Sequence, residues 1–358
     1  MNSNYTIIGI MSGTSLDGVD ITLSSYHYSS NKWGFKFTHG KTYKYPSEIY
    51  EKLKNATQSS AIELLILDKT IGNLFAEFVE QFIYDFQLSK KNIDAISSHG
   101  HTIFHQPENG FTEQIGCGTT IAVKTGIPVI NNYRTKDVIL GGQGAPLVPV
   151  GDFQLFNQLA DGFLNIGGIC NISYQVDGKI TAYDICPGNI PSNLLMNELG
   201  KEYDENGIEA SKGILDIDFF NQLNKLPFYV QKGPKSLGME WMNTTFLPLI
   251  SNSTISIQDK LNTISEHIAL QIASISNKNR IKKLLITGGG AYNKHLISRI
   301  KHFYKGEVLE PSNQIIAFKE AIVFGFLGAL YLEKQNNCLK EVTGATRNSC
   351  SGVLHLPN

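Results

Sequence analysis

The sequence predicts an α/β protein built from two similar halves, and three observations predict it. The chain has 358 residues, a length that as a prior means about two domains. The order strands, then helices, then a strand is read twice along it. Each half opens on a strand that runs into a turn of Gly, Ser and Thr or of paired glycines. The duplication is one of pattern, without a residue-level repeat of fixed period.

The first half opens with three strands expected to pair antiparallel. Residues 5–11 form a mostly apolar run that ends in Ser12-Gly13-Thr14-Ser15. Residues 19–28 are rich in β-branched side chains, and residues 33–45 alternate, with aromatics at 33, 35 and 37. A short helix is expected over 46–56. From Ile71 the apolar residues fall at 71, 74, 75, 78, 79, 82, 83 and 86, one wide stripe of an amphipathic helix. Residues 93–98 then read as a buried strand that stops at His99-Gly100.

The second half opens near Phe163. Residues 164–172 are apolar and contain glycine, and 180–185 form a further strand. A loop rich in Gly and Pro over 226–238 interrupts helical segments. Residues 262–276 are helical, with apolar positions 264, 268, 270, 272 and 275. Residues 281–287 form a strand that runs into Gly288-Gly289-Gly290, and 318–334 a helix. The polar, glycine-rich stretch 131–149 is the expected crossing between lobes. The division is therefore 1–130, joined by 340–358, against 131–339.

Composition excludes several classes of function. The 31 basic and 32 acidic residues nearly cancel, which leaves no cationic surface for nucleic acid. With 42% hydrophobic and 18% charged residues the chain can bury a core and is not generally disordered. The five cysteines are odd in number and lack C-x-x-C spacing, so a reducing cytoplasm is expected rather than a disulfide framework. The N-terminus has no basic signal-peptide region. The longest apolar run, 321–332, is too short to span a bilayer and carries Gly325 and Gly328, which points to a buried helix of a soluble protein.

The segment from Met11 to Asp20, MSGTSLDGVD, carries the most chemistry. A glycine-rich turn between strands exposes backbone N–H groups, and Ser and Thr hydroxyls add donors, so phosphate oxygens can be cradled there. Carboxylates beside phosphates go with Mg²⁺, so Asp17 or Asp20, acting through water, are the candidate metal contacts. A plain hairpin turn with solvated aspartates is the competing reading. The strand into Gly288-Gly289-Gly290 suits a nucleotide. Neither a P-loop, the protein-kinase set nor a dinucleotide fingerprint is present; Gly116-x-Gly118 does not continue as one. His99, His101 and His105 would share a strand face, but no cysteine or carboxylate joins them and Gly100 favours a loop. Recognition of substrate hydroxyls is expected there rather than zinc. Asp184, at a strand end before Cys186-Pro187-Gly188-Asn189, is placed to act as a general base, against the plainer role of capping a turn. Cys186 reads as a small buried residue.

MSGTSLDGVD resembles the N-terminal motif of the anhydro-N-acetylmuramic acid kinases. Further segments match that family in order: HGHT at 99–102, GGQGAPLVP at 141–149, LNIGGICNIS at 164–173, YDICPGN at 183–189, PKSLG at 234–238, TGGGAYN at 287–293, KEA at 319–321 and VTGA at 342–345. The resemblance spans nearly the whole chain. It implies the actin-like ATPase fold, two ribonuclease H-like lobes of βββαβαβα type around a nucleotide cleft. It implies an ATP- and Mg²⁺-dependent kinase that opens 1,6-anhydro-N-acetylmuramic acid and phosphorylates O6 during peptidoglycan recycling in the cytoplasm. It makes Gly13, Thr14, Ser15, Leu16, Asp17, Gly18, Val19 and Asp20 the ATP phosphate loop, and sets Gly288, Gly289 and Gly290 against the nucleoside. Asp184 matches the catalytic aspartate, and His99, Arg134, Gln143 and Asn189 fall on the substrate side. The partner is a small sugar, with no nucleic acid and no membrane; family members tend to be dimers, so a homodimer is expected.

The chain departs from the family at several points. D-T-G-P-G-N reads Asp184-Ile185-Cys186-Pro187-Gly188-Asn189, F-R-R-R-D reads Tyr133-Arg134-Thr135-Lys136-Asp137, and Met239 replaces an arginine. These changes motivate two alternatives: a kinase for a different anhydro-sugar or amino sugar, and a degenerate nucleotide-binding sensor of the same fold.

Overall fold

The structure, a computed structural model, describes residues 3–231, 233 and 235–358. Pro234 of the PKSLG segment lies outside the described residues. The strands are β1 (Ser3–Ser12), β2 (Val19–Ser29), β3 (Lys32–Tyr43), β4 (Ala95–Gln106), β5 (Phe111–Ile115), β6 (Val129–Asn131), β7 (Gly162–Ile166), β8 (Ile169–Val176), β9 (Lys179–Pro187), β10 (Lys283–Thr287), β11 (Glu307–Leu309) and β12 (Val353–His355). The chain forms two compact units, Met1–Phe156 with Phe318–Asn358, and Asn157–Ala317.

Among the described residues of the first unit, seven strands form one sheet, in the order β12-β6-β4-β1-β2-β3 with β5 on β4. The consecutive strands β1, β2 and β3 are antiparallel, and β4 and β6 join in parallel beyond β1. The apolar run of β1 explains its central place, since Ile7, Ile8 and Ile10 are fully buried on both faces. The helix Ala61–Asp85 covers this sheet with Leu67, Ile71, Leu74, Phe75, Val79, Phe82 and Ile83. It starts ten residues before the stripe read from Ile71. Ser60 Oγ accepts from Glu63 N–H while Glu63 Oε2 accepts from Ser60 N–H, a capping box worth about 1 kcal/mol.

The helix Asn313–Leu332 has 20 residues, so the apolar segment is longer than the run at 321–332 suggested. By length and composition it could cross a membrane. Its residues Ile322, Val323, Phe326, Leu327, Ala329 and Leu330 are instead fully buried in the first unit. Gly325 and Gly328 let it approach the sheet: a Cβ at 325 would lie 2.4 Å from Tyr26 Oη, and one at 328 would lie 2.8 Å from Ser97 Cβ. This is a core helix.

The second unit has a five-stranded sheet among its described residues, in the order β11-β10-β7-β8-β9. Again three consecutive strands are antiparallel and two more join in parallel beyond the first of them. The paths β3-β2-β1-β4-β6 and β9-β8-β7-β10-β11 are the same path. The pattern-level duplication is thus present in the strand order of the two sheets, each the sheet of an α/β unit. The helix Ile257–Lys278, capped by Ser256 Oγ on Asp259 N–H, packs Leu261, Ile264, Ile268 and Ile272 into this unit's core.

Several local expectations are corrected. The crossing at 131–149 and the boundaries at 130 and 339 do not match the compact units, which divide after Phe156 and after Ala317. β6 is a strand of the first sheet, and Asp137 holds the loop behind it. This buried carboxylate accepts from Gly144 N–H at 2.8 Å and Thr343 Oγ1–H at 2.7 Å. Gly100 does not end β4; at φ +76° it bends the strand, which runs on to Gln106. The run 164–172 is two strands, β7 and β8, folded at Gly167-Gly168. β9 continues past Asp184 because a bulge absorbs Ile185: Asn171 faces Asp184, but Cys170 faces Cys186.

Candidate active site

In the first unit the turn after β1 makes one internal backbone bond. Leu16, at φ +60°, donates its N–H to Gly13 O at 3.2 Å, and Ser15 Oγ donates to Asp17 Oδ1 at 2.9 Å. Among the described residues, no acceptor is hydrogen-bonded to the N–H groups of Thr14, Ser15 or Asp17. Thr14, Ser15 and Asp17 are exposed. The two glycines differ. A Cβ on Gly13 would meet only Ser15, at 3.3 Å from Oγ, whereas one on Gly18 would lie 2.8 Å from Thr42 Cγ2 and 2.9 Å from Tyr43 O. Gly18 is required by packing, and Gly13 is not.

Asp20 follows at the start of β2, in register with Thr42, whose Oγ1–H donates to Asp20 Oδ1 at 2.5 Å. Burial pushes the Asp20 carboxyl up to about 6, against the Thr42 bond, with the charges of Asp17 and Glu320 adding to the rise. The half-buried Glu320 carboxyl is itself raised by desolvation, with the charges of Lys319 and Arg134 opposing the rise. Ser12, Tyr45 and His101 close the base of the turn. Ser12 Oγ lies 2.7 Å from His101 Nδ1 and 2.5 Å from Tyr45 Oη. Burial lowers His101 to about 4, so its ring is neutral at physiological pH.

The expected sugar-side residues of this unit have separate fates. His99 is buried. Its Nδ1–H donates to Gly100 O at 2.9 Å, and its Nε2 accepts from Arg134 Nε at 3.1 Å and Nη2 at 2.7 Å. Both ring nitrogens are occupied, which leaves none for a substrate hydroxyl or a metal; His99 orients Arg134 instead. Arg134 also donates to Gly144 O at 2.8 Å and is brought down to about 10 by burial. Among the described residues it has no carboxylate within ion-pair distance. Gln143 is exposed on the 141–149 loop, pinned through its backbone N–H to Thr343 O at 2.7 Å. Lys136 donates to Cys350 O. No group of three metal-ligating side chains occurs among the described residues.

In the second unit the bulge on β9 presents Asp184. Its Oδ2 accepts from Leu237 N–H at 2.8 Å, and its own N–H donates to Lys235 O at 3.0 Å. Among the described residues its Oδ1 has no hydrogen-bond donor. Burial pushes this carboxyl up, and the Leu237 bond opposes that rise. Ile185 and Cys186 are fully buried in this unit's core, so two of the family departures are packing changes. Asn189 Nδ2 donates to Ile166 O at 3.3 Å, and its Oδ1 lies 3.1 Å from where a Cβ on Gly290 would be. Asn189 thereby ties the turn after Asp184 to the end of β7 and lies beside the glycine triplet. Gly288 and Gly290 are packed on β7, with Cβ positions 2.5 Å from Asn165 Oδ1 and 2.1 Å from Ile166 Cγ2; Gly289 is exposed and open.

Thr42 carries no sequence signal, because only strand register brings it to Asp20. Leu237, Glu320 and Ser12 lie inside motifs quoted from the sequence, but nothing in those motifs says which residues they meet.

The chain matches the family described as anhydro-N-acetylmuramic acid kinase over residues 5–357. It is 35% identical to the anhydro-N-acetylmuramic acid kinase of Francisella tularensis subsp. novicida, over 97% of this chain and 98% of that protein. It is 34% identical to the protein of the same name from Shewanella pealeana, over 99% of each. Among solved structures it aligns with component A of the Acidaminococcus fermentans (R)-2-hydroxyglutaryl-CoA dehydratase at 10% identity and a TM-score of 0.44, covering 89% of this chain and 95% of that one.

Proposed function

We propose a division of labour among these residues from one premise: the chain belongs to the anhydro-N-acetylmuramic acid kinase family. It is a phosphotransferase that uses ATP and takes a small sugar, anhydro-N-acetylmuramic acid, in the family's setting of peptidoglycan recycling. Residues 13–18 hold the ATP phosphates with the uncommitted N–H groups of Thr14, Ser15 and Asp17 and the hydroxyls beside them. Gly289, the open member of its triplet, lies against the nucleoside, and Arg134 supplies fixed donors to the sugar.

The acidic pair Asp17 and Asp20 fits Mg²⁺ held through water. Asp20 is raised by burial and by its acidic neighbours, a surplus of negative charge that a divalent cation offsets. When bound, the ion would supply charge stabilisation at the phosphoryl oxygens.

Asp184 is the base. The reaction forms a bond from a water oxygen to C1 and breaks the C1–O6 bond, with inversion at C1. O6 then bonds to the γ-phosphorus as the bond to the ADP oxygen breaks. The water proton passes to Asp184 Oδ1, and the departing O6 needs no separate acid because phosphorus receives it. The products are N-acetylmuramic acid 6-phosphate and ADP. The observation that carries this assignment is the geometry of Asp184: one oxygen is fixed by Leu237 N–H, and the other has no donor among the described residues. Turnover in ¹⁸O-labelled water tests it. Label should enter the anomeric hydroxyl and stay out of the phosphate ester; label in the ester overturns this order of steps.

A cytoplasmic location and a homodimer complete the proposal. All five cysteines are free, as a reducing compartment requires. Light scattering on the purified protein tests the dimer.

A further inference from the structure

Asp184 is gripped by a segment that returns to it from about fifty residues further along the chain. Lys235 O accepts its N–H, and Leu237 N–H donates to its Oδ2, so residues 235–237 act as a clip on the strand. The clip is anchored at Lys235. Its Nζ donates to Phe228 O at 2.7 Å and stands 4.0 Å from the Phe228 ring centroid and 6.0 Å from that of Tyr229. Tyr229 is held in turn. Its Oη donates to His267 Nε2 at 2.9 Å, while His267 Nδ1–H donates to Asn224 Oδ1 at 2.9 Å, inside the core around the helix Ile257–Lys278. Among the described residues no carboxylate pairs with Lys235. A half-buried cation without a counter-ion costs stability, and here its contacts all fix the backbone next to Asp184.

We propose that Lys235 is a positioning residue for Asp184: its ammonium locks residues 235–237 to the Phe228–Tyr229 turn, so that the Leu237 N–H stays on the carboxylate. This rests on the reading of Asp184 as the base. Burial raises the Asp184 carboxyl and the Leu237 bond brings it down, so the clip keeps the base ionised at lower pH. The other titratable groups near it are Tyr183 and Cys186 on its own strand, Cys170 opposite, and Tyr229 and Lys278 around Lys235. Burial holds the Cys186 thiol far above its ordinary range, so it is neutral and does not compete.

The test is the pH profile of kcat for Lys235→Met and Lys235→Arg in the full chain. A base whose carboxyl rises loses activity at a higher pH. In Lys235→Met the acid limb should move up by about one pH unit, the shift expected for one lost amide bond to a carboxylate. Activity should recover at alkaline pH, with KM for ATP unchanged. Lys235→Arg, which keeps a cation and donors, should hold the limb near its original place. If Lys235→Met does not fold, Lys235→Gln replaces it with the same expectation. A limb that stays put, or a uniform loss at every pH, overturns the proposal. Asp184→Asn separates the two readings. If it is inactive while the limb stays put, only the role of Lys235 fails; if it is fully active, the assignment of the base fails first.

Discussion

The turn after β1 and the turn after β7 stand at the same place in two sheets of the same strand order, yet they use their backbones differently. The first spans Gly13–Gly18, carries two hydroxyls and a carboxylate, and makes one internal backbone bond. The second is Gly167-Gly168 alone. Its carbonyls accept from Gly188 N–H at 2.8 Å, Asn189 N–H at 2.8 Å and Ile190 N–H at 3.4 Å. A duplicated fold thus supplies one turn whose N–H groups at Thr14, Ser15 and Asp17 have no acceptor among the described residues and one turn whose carbonyls its own chain takes up. The closed turn fixes the backbone that follows Asp184, the proposed base. Topology sets where a turn lies; the residues in it decide what it binds.

The largest effect belongs to the side of the closed turn. Asp184→Asn should lower kcat by about 10²–10⁴-fold with ATP and sugar binding retained, since an amide cannot take the water proton. Single-turnover assays with separate binding titrations check this, and turnover near wild type would break the comparison. Next is Gly188→Ala. Its Cβ would lie 2.3 Å from Gly167 O, a backbone atom that cannot give way, so the closed turn should open at a cost of about 2–3 kcal/mol in urea unfolding. A stability equal to wild type would mean that the second turn is not held as described.

Asp20 sharpens the contrast through charge. Its carboxyl binds a proton more tightly in the fold, at about 6, than in the unfolded chain, near 3.8. Ionising it therefore removes stability as pH rises from about 4 to about 6. Asp20→Asn should raise the melting temperature at pH 8, by the equivalent of about 1–2 kcal/mol once solvent screening is allowed for, and leave it nearly unchanged at pH 4. Equal shifts at both pH values would show that the carboxylate carries no such cost. The smallest functional effect is expected of Ile185→Thr, which restores the family's residue. Ile185 is fully buried, so the hydroxyl should cost about 1–2 kcal/mol and leave KM for the sugar unchanged. A changed KM would place residue 185 at the sugar after all.

What the sequence made legible follows from how local each feature is. The helical stripe from Ile71, the three opening strands and the apolar run at 281–287 are periodic signals, and all appear in the structure. The turn motif at 11–20 and the strand end at Asp184 were likewise visible as residue types in order. Illegible were the features made by register and return of the chain. Thr42 reaches Asp20 across a strand pair, and Leu237 reaches Asp184 across 53 residues. The bulge at Ile185 turned two apparent substrate-side changes into core packing. His99 is expected from the sequence to meet substrate hydroxyls, because nothing in its own segment announces Arg134, 35 residues on.

The central claim is that residues 13–18 are open because they hold ATP phosphates. Gly13→Val tests it most directly, because the structure leaves room for the side chain against the protein itself, with Ser15 Oγ the nearest neighbour. Calorimetric titration with a non-hydrolysable ATP analogue should show affinity reduced by about tenfold or more, while the melting temperature stays near that of the wild type. Unchanged affinity in a folded Gly13→Val protein would contradict the account.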